Sequence, residues 1–598
     1  MLGLATALLA VVVVLGLADP GVAPEALLRA LRGGAGALGW AVASVGVGRL
    51  VLRSGRVVEL LAAGVAVLGL ALLPLAALDL LRLGWVLGLL GVAGWSVGRV
   101  DRPSRPPAAV LVVALVFAVP GLIDALAPPV DTDELYYHLA VPQALLDRGL
   151  QGGFWFPEAS RPLPLALVWG AAMGSGGEAA PKLLHLVLVF ALLWEVRALG
   201  QREVGPWAGE LAALALLGSW SFVRESGLAY NDLPTALFVV CALRACLDGK
   251  AGRLALFAGA ALATKYTAAG AVTAIYLLAL WRGFGLRRVA VATGLALAWV
   301  APWWLRNVAD GLHPLFPYAG WAHFDGFVFL YLEKYGAGRE PMDLVAAAWR
   351  AFTEASPRSY SFLGRLNPVF LVCVPAAGVA ALRGRATFAW LVVPIWLAWL
   401  LGPHSLRYLL PGLPVLALAA TEGVAELPRL GRVAVLAVWV AGLPSNVGPW
   451  LDTVGDRAAV ALGTEDRDDF LARNVYGWEA LAWVRDQAPS DAKVALLYTW
   501  GRYYVGRPWV LGSVEDHTPT RYLVRQHGSQ AIEALAAAGV THLVVSEEKP
   551  IRKVHRFLDD AEWREAFLEP RSSVDEQLRG QATRVFRAGE HSVWRVVP

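Results

Sequence analysis

Hydrophobic positions along this chain come in long blocks. Stretches of about 15–20 apolar residues, the length a helix needs to cross a hydrocarbon core, succeed one another from Leu2 to about residue 448. Two of them, Leu60–Leu78 and Ala108–Ile123, contain no charged residue. The blocks predict membrane helices over residues 2–17, 35–50, 57–77, 83–98, 108–127, 181–200, 206–222, 233–247, 252–264, 268–281, 288–303, 366–382, 386–402, 408–425 and 433–448. No basic residue precedes the first block, so it reads as a membrane helix and not as a cleaved leader.

After Trp450 the pattern changes to charged, mixed segments. Gly477–Gln487 and Ser529–Ala538 read as amphipathic helices, each followed by a strand, Lys493–Tyr498 and Thr541–Ser546. Arg584–Arg587 and Ser592–Val597 suit a terminal hairpin around Gly589. Alternating helices and strands predict a small α/β domain. It carries no glycine-rich phosphate loop and no recognisable catalytic constellation. The expected fold is a polytopic α-helical membrane protein of about 13–15 transmembrane helices with a small C-terminal extracytoplasmic α/β domain. Its parts are an N-terminal helical segment (1–106), a central membrane domain with large outer loops (107–448) and the terminal domain (449–598).

Composition agrees: of 598 residues, 57% are hydrophobic and only 17% charged, with a mean hydropathy of +0.53. The net charge of +4 comes from arginines lying mainly between apolar blocks, which argues against a nucleic-acid partner. Cys241, Cys246 and Cys373 all sit in apolar blocks and read as small core residues.

The arginines also orient the chain. Arg49, Arg53 and Arg56; Arg99, Arg102 and Arg105; Arg197 and Arg202; Lys250 and Arg253; Arg282, Arg287 and Arg288; Arg383 and Arg385; and Arg429 and Arg432 all fall on one side if the helices alternate. That side is expected to be cytoplasmic. Arg29, Arg32 and Arg82 depart from the pattern. The opposite, extracytoplasmic face then receives Asp131–Ser160, Arg224–Asp232, Lys265, the segment from Arg306 to about Pro357, His404–Tyr408 and everything after about Ser445. Acids are costly beside membrane helices, so their gathering on that face suggests a site.

The candidate chemistry lies there. Asp131-Thr-Asp-Glu-Leu-Tyr-Tyr-His138 places Asp133, Glu134, Tyr136, Tyr137 and His138 where a membrane helix ends. A helix starting near Asp133 would put Glu134 and His138 on one face. Capping and the helix dipole account for one acid, not for three. Asp232 opens the block that follows Arg224-Glu-Ser-Gly-Leu-Ala-Tyr-Asn, and Lys265 lies deep in an apolar region, where a cation needs a carboxylate or phosphate partner. Arg306 and the pair Arg407 and Tyr408 reach the same face. Carboxylates can serve as a general base or hold a divalent cation such as Mg or Mn, with Asp133 and Asp232 as its candidate ligands. Lysine and arginine can grip a phosphate, and aromatic rings can stack on a sugar. A lipid-phosphate sugar calls for all three.

At these residues the chain resembles the GT-C superfamily of polytopic glycosyltransferases, especially family 39-like members (protein mannosyltransferase and aminoarabinose transferase-like). The resemblance runs in order over about Asp131–Ala420 through Asp133-Glu-Leu-Tyr-Tyr-His-Leu-Ala-Val-Pro142, Tyr230-Asn-Asp-Leu-Pro-Thr-Ala-Leu-Phe238, Leu262-Ala-Thr-Lys-Tyr-Thr267, Pro302-Trp-Trp-Leu-Arg-Asn307 with His313-Pro-Leu-Phe-Pro317, and Arg407-Tyr-Leu-Leu-Pro411. It implies a polyprenyl-phosphate-sugar donor and inverting transfer to a lipid, glycan or protein acceptor, outside a bacterial inner membrane. It also implies Asp133 as catalytic carboxylate, Glu134 and Asp232 as its support, and Lys265, Arg306 and Arg407 as contacts to the donor phosphate. About four extra spans before Ala108 depart from the minimal family pattern. A transporter or flippase, a polymerase or ligase of lipid-linked saccharides, and a non-catalytic assembly subunit are the competing expectations. The one-sided charge distribution and the lack of two-fold repetition count against transport.

Overall fold

The computed structural model describes residues 24–97, 99–101, 118–150, 156–320, 341–353, 366–384, 386–402, 404–442, 444–512, 518–548 and 558–596. The predicted helix over 2–17 and the first half of that over 108–127 lie outside them. The protein is a multi-pass membrane protein: among the described residues four helices are long and apolar enough to cross a bilayer, and seven shorter apolar helices accompany them. It divides into two compact units, residues 1–128, 162–302 and 335–464, and residues 129–161, 303–334 and 465–598.

The first unit is a helical bundle. Helix α1 (Pro24–Leu52) is joined through β1 (Ser54–Arg56) to α2 (Val57–Ala71), and β1 pairs in parallel with β2 (Arg99–Asp101). A Cβ on Gly64 would lie 1.7 Å from the Ser44 carbonyl oxygen, so glycine is what allows α1 and α2 to approach this closely. Then come α3 (Pro164–Gly176), α4 (Ala179–Glu203), α5 (Asp232–Leu247), α6 (Ala251–Thr264), α7 (Ala269–Trp281), α8 (Leu286–Ala309, counted with the second unit from Trp303 on), α9 (Val369–Leu382), α10 (Ala389–Leu400) and α11 (Leu413–Ala425). Every residue of α5 except its last, Leu247, is buried, as expected of a helix apolar on all sides and central to a bundle. By contrast, Leu286, Val291, Leu295 and Leu305 on α8 are exposed, a face suited to lipid.

Three features differ from the sequence reading. Buried α3 was not expected, because 13 residues rise only about 20 Å, too little to cross a hydrocarbon core. The expected helix over 206–222 breaks at Gly218–Ser219 into Ala208–Leu217 and Trp220–Glu225, with Asn367 Nδ2 donating to the Gly218 carbonyl at 3.2 Å. Nor are buried acids confined to the proposed outer face. Buried Glu195 pairs with Arg56 at 3.2 Å and with Arg244, and buried Glu59 pairs with Arg253 at 3.3 Å. At this arginine-rich end the acids neutralise cations that would otherwise be stranded.

The second unit contains a five-stranded mixed sheet of order β4-β3-β5-β7-β6, built from β3 (Val494–Leu497), β4 (Trp509–Leu511), β5 (His542–Ser546), β6 (Ala582–Ala588) and β7 (His591–Val596). Strand β3 pairs in parallel with β4 and β5, while β7 runs antiparallel to β5 and β6. The expected strands and the hairpin at Gly589 are all present; β4, only three residues long, was not foreseen. Strands β3 and β5 are buried along their whole length, which explains their continuous apolar runs. Leu523, Ile532, Leu535, Val574 and Leu578 from the flanking helices complete the core.

The described N-terminal helices group with the central membrane helices, and the expected boundary at 106/107 lies outside the described residues. The boundary expected at 448/449 lies at Thr464/Glu465, and the segments 129–161 and 303–334 belong with the terminal domain. Nothing local in those two segments announces this.

Candidate functional site

In the first unit the charged candidates converge on Asp232. This residue opens α5 and is completely buried. Lys265, at the junction of α6 and α7, brings its Nζ to 2.6 Å from Asp232 Oδ1. Arg407, from the turn Leu406–Leu409 ahead of α11, donates through Nε to Asp232 Oδ2 at 3.0 Å. The same Nε lies 3.7 Å from Glu225 Oε1. Two carboxylates therefore balance two cations in a buried setting, the condition under which such charges are tolerated. The Arg407 guanidinium lies over the Tyr230 ring at 4.1 Å, and Lys265 Nζ over the Tyr408 ring at 5.2 Å. Glu225 carries no mark of its own in the sequence. Its partner is 182 positions away in the chain (407 − 225), so no local pattern marks it.

The second unit holds the acidic segment. Asp133 precedes a π-helical turn, Glu134–His138, in which Leu139 N reaches back to the Glu134 carbonyl at 3.0 Å. The wide turn takes the place of the expected α-helical start, a local irregularity often met at functional sites. Asp133 stays partly exposed, whereas Glu134 and His138 are buried. Asp133 N donates to Asp131 Oδ1 at 3.2 Å, and the Tyr137 hydroxyl donates to Asp133 Oδ2 at 3.2 Å. The Tyr137 ring lies against His138 at 4.0 Å and beneath the Arg161 guanidinium at 4.7 Å. Of the segment's acids, Asp131 and Asp133 are partly exposed and Glu134 is buried.

Tyr136 has a different task. Its hydroxyl donates to Glu158 Oε1 at 2.5 Å, and Glu158 Oε2 accepts from Arg502 at 2.5 Å. Burial alone would raise the Glu158 carboxyl. The neighbouring Arg502 and Arg161 guanidiniums, with the Tyr136 and Arg502 hydrogen bonds, outweigh it and hold the group below the usual carboxylate range. Neither Glu158 nor Arg502 was a candidate from sequence, since the pair is 344 positions apart.

Arg306 was expected to share a phosphate site with Lys265 and Arg407, which belong to the first unit. It belongs to the second unit, where it donates to the Ala159 carbonyl at 2.7 Å and lies 3.7 Å from Asp310 one helical turn on. Of the two expected metal ligands, Asp133 belongs to the second unit and Asp232 to the first. Among the described residues no group of three or more His, Cys, Asp or Glu side chains is placed to hold a metal ion. Both oxygens of Asp232 already accept from cations, which does not suit a metal ligand.

Comparison with known proteins places the fold. No family model matches the chain, and no curated protein does. Among solved structures, ArnT from Cupriavidus metallidurans bound to undecaprenyl phosphate is similar over 82% of this chain and 98% of that one, with 14% identity and a TM-score of 0.51. The oligosaccharyltransferase of Archaeoglobus fulgidus is similar over 73% of this chain and 70% of that one, with 13% identity and a TM-score of 0.43. The mycobacterial arabinofuranosyltransferase AftD is similar over 83% of this chain and 42% of that one, with 14% identity and a TM-score of 0.37. The chain has a GT-C-like fold.

Proposed function

We propose that this protein is a membrane glycosyltransferase that moves a sugar from a polyprenyl-phosphate-sugar donor to an acceptor hydroxyl on the extracytoplasmic side of a bacterial inner membrane, with inversion. The observation that carries the reading is the buried cluster of Lys265 and Arg407 around Asp232, in a chain with a GT-C-like fold. Two cations drawn from distant turns and lined by Tyr230 and Tyr408 form a receptor for a lipid phosphate, the arginine offering a planar fork and the lysine a point charge. With no phosphate bound, Asp232 and Glu225 supply the counter-charge.

Asp133 is then the base. The acceptor oxygen attacks the anomeric carbon, its proton passes to the Asp133 carboxylate, and the bond from sugar to phosphate breaks, releasing polyprenyl phosphate. One displacement inverts the configuration. The hydrogen bond from Tyr137 fixes the carboxylate that must meet the acceptor. His138 and Glu134, both buried, support the turn. A divalent cation, where one takes part, goes to Asp133 and not to Asp232, whose oxygens are already engaged. We assign Arg306 to holding the turn at Ala159. The arginine-rich ends of the bundle support a cytoplasmic orientation for that side.

The test is sugar transfer by the purified protein in lipid, with a panel of polyprenyl-phosphate sugars and a membrane extract as acceptor, comparing wild type with Asp133→Asn. Transfer lost in the variant supports the reading. No transfer from any donor, with Asp133→Asn still complementing a deletion strain, refutes it and favours a transporter or an assembly subunit.

A further inference from the structure

The short turn Arg502–Tyr504 belongs to the terminal α/β domain, yet its side chains also bond to the segment 129–158. Arg502 is completely buried, and a guanidinium can remain there only if its N–H groups find partners. Nε donates to the Leu511 carbonyl at 2.6 Å and Nη2 to the Gly512 carbonyl at 2.8 Å. Nη1 donates to the Tyr136 carbonyl at 3.1 Å and to Glu158 Oε2 at 2.5 Å. The guanidinium also lies over the rings of Tyr136, Trp509 and Phe156 at 4.3, 4.9 and 5.3 Å. Two residues on, the Tyr504 hydroxyl donates to the Pro129 carbonyl at 2.7 Å.

The places held are informative. Pro129 and Tyr136 stand on either side of Asp131 and Asp133, so one turn grips the acidic segment at both ends. Tyr136 is held twice, through its carbonyl by Arg502 and through its hydroxyl by Glu158. Its neighbour Tyr137 makes the hydrogen bond to Asp133. On the other side of Arg502 the backbone adopts the left-handed region at a non-glycine residue, Leu511 (φ 57°), followed by Gly512 (φ 85°), and both carbonyls accept from the guanidinium. A Cβ on Gly512 would come within 2.6 Å of Arg502 Nε. A strained backbone that persists is one its surroundings over-determine.

We propose that Arg502 is a positioning residue: through Arg502 and Tyr504 the terminal domain clamps the acidic segment at Tyr136 and Pro129 and so sets the position of the Asp133 carboxylate. This rests on reading Asp133 as the acceptor base. A base displaced by about 1 Å loses on the order of 100-fold in rate, so a fork that fixes two carbonyls of its own domain and one of the acidic segment is worth more than its charge. Lysine can replace that charge but cannot hold four acceptors in one plane.

The test uses the full-length protein in lipid. Arg502→Lys keeps a cation for Glu158, and the double variant Arg502→Met with Glu158→Gln removes the ion pair as a pair, so that no buried charge is stranded. Active sites are counted by saturation binding of polyprenyl phosphate, and kcat is expressed per bound site. In both variants kcat should fall about 10- to 100-fold while KM for the donor stays within about two-fold. Hydrogen exchange should quicken in residues 129–138 and stay unchanged in β3. Tyr504→Phe, which removes one hydroxyl, should give the same local exchange change with a smaller drop in kcat. An ion pair that serves stability alone predicts recovery in the Met/Gln double variant, and full kcat per site there overturns the proposal. Unchanged exchange in residues 129–138 overturns it as well, and this readout stands even where wild type transfers no sugar, the outcome that would instead refute the proposed function.

Discussion

Replacing Asp232 by asparagine leaves Lys265 and Arg407 buried, with Glu225 still 3.7 Å from Arg407. Asp232 makes contacts of 2.6 and 3.0 Å to these cations, and its side chain and theirs are 0%, 11% and 7% exposed. At an effective dielectric of about 20 each contact corresponds to an attraction of about 6 kcal/mol, most of it offset by the cost of removing the charges from water. Breaking such a pair from one side typically costs about 3–5 kcal/mol, because the partner charge is left behind. Asp232→Asn should therefore lower stability by about 4 kcal/mol. Adding Lys265→Met should restore about half, since Arg407 keeps Glu225 at 3.7 Å. The assay is a double-mutant cycle on the unfolding of purified protein in lipid. The cycle also reads function. With its competing carboxylate gone, the Asp232→Asn protein should be stabilised by polyprenyl phosphate more than wild type is, because the incoming phosphate supplies the missing charge. Additive effects of the two substitutions would refute the ion-pair argument, and equal stabilisation by the lipid would refute the phosphate site.

Three further outcomes follow from other parts of the molecule. His591 is buried against Tyr476, and burial lowers its pKa to about 4. The unfolded chain takes up that proton first, so stability is complete above about pH 6.5 and declines toward pH 4; between pH 7 and pH 5 the opening free energy of β7, read by hydrogen exchange, should fall by about 2 kcal/mol, a slope absent in His591→Gln. Glu422 of α11 accepts from the backbone N–H groups of Thr387, Phe388 and Ala389 at 2.7–3.0 Å, capping α10 from a neighbouring helix. Glu422→Ala should cost about 2–4 kcal/mol and Glu422→Gln clearly less, measured as thermal unfolding. At the arginine-rich end, Glu195→Leu alone should be strongly destabilising by about 3–5 kcal/mol, and Glu195→Leu with Arg244→Met markedly less, by the same assay.

The sequence by itself determined what depends on length and local period. Blocks of apolar residues located α4, α5, α6 and α7 to within a few residues, because a helix that must satisfy its own backbone in lipid has to be long, apolar and uninterrupted. The terminal strands were legible for a similar reason, as short apolar runs bounded by turn residues. Composition also picked out Asp133, Asp232, Lys265 and Arg407, since a charge beside an apolar block is expensive enough to need a reason. Only the tertiary structure decided how those charges are used. Asp232 meets a lysine 33 positions away and an arginine 175 positions away, while Arg306, equally promising in sequence, belongs to the other unit. The clamp of Arg502 on Tyr136 and Glu158 spans 366 and 344 positions, and α3 was too short to be read as crossing a membrane. Charge, length and period are properties of a local stretch of chain. Partnership is a property of the fold, because a buried charge is stabilised by whichever group packing brings within about 3 Å, whatever their separation in sequence.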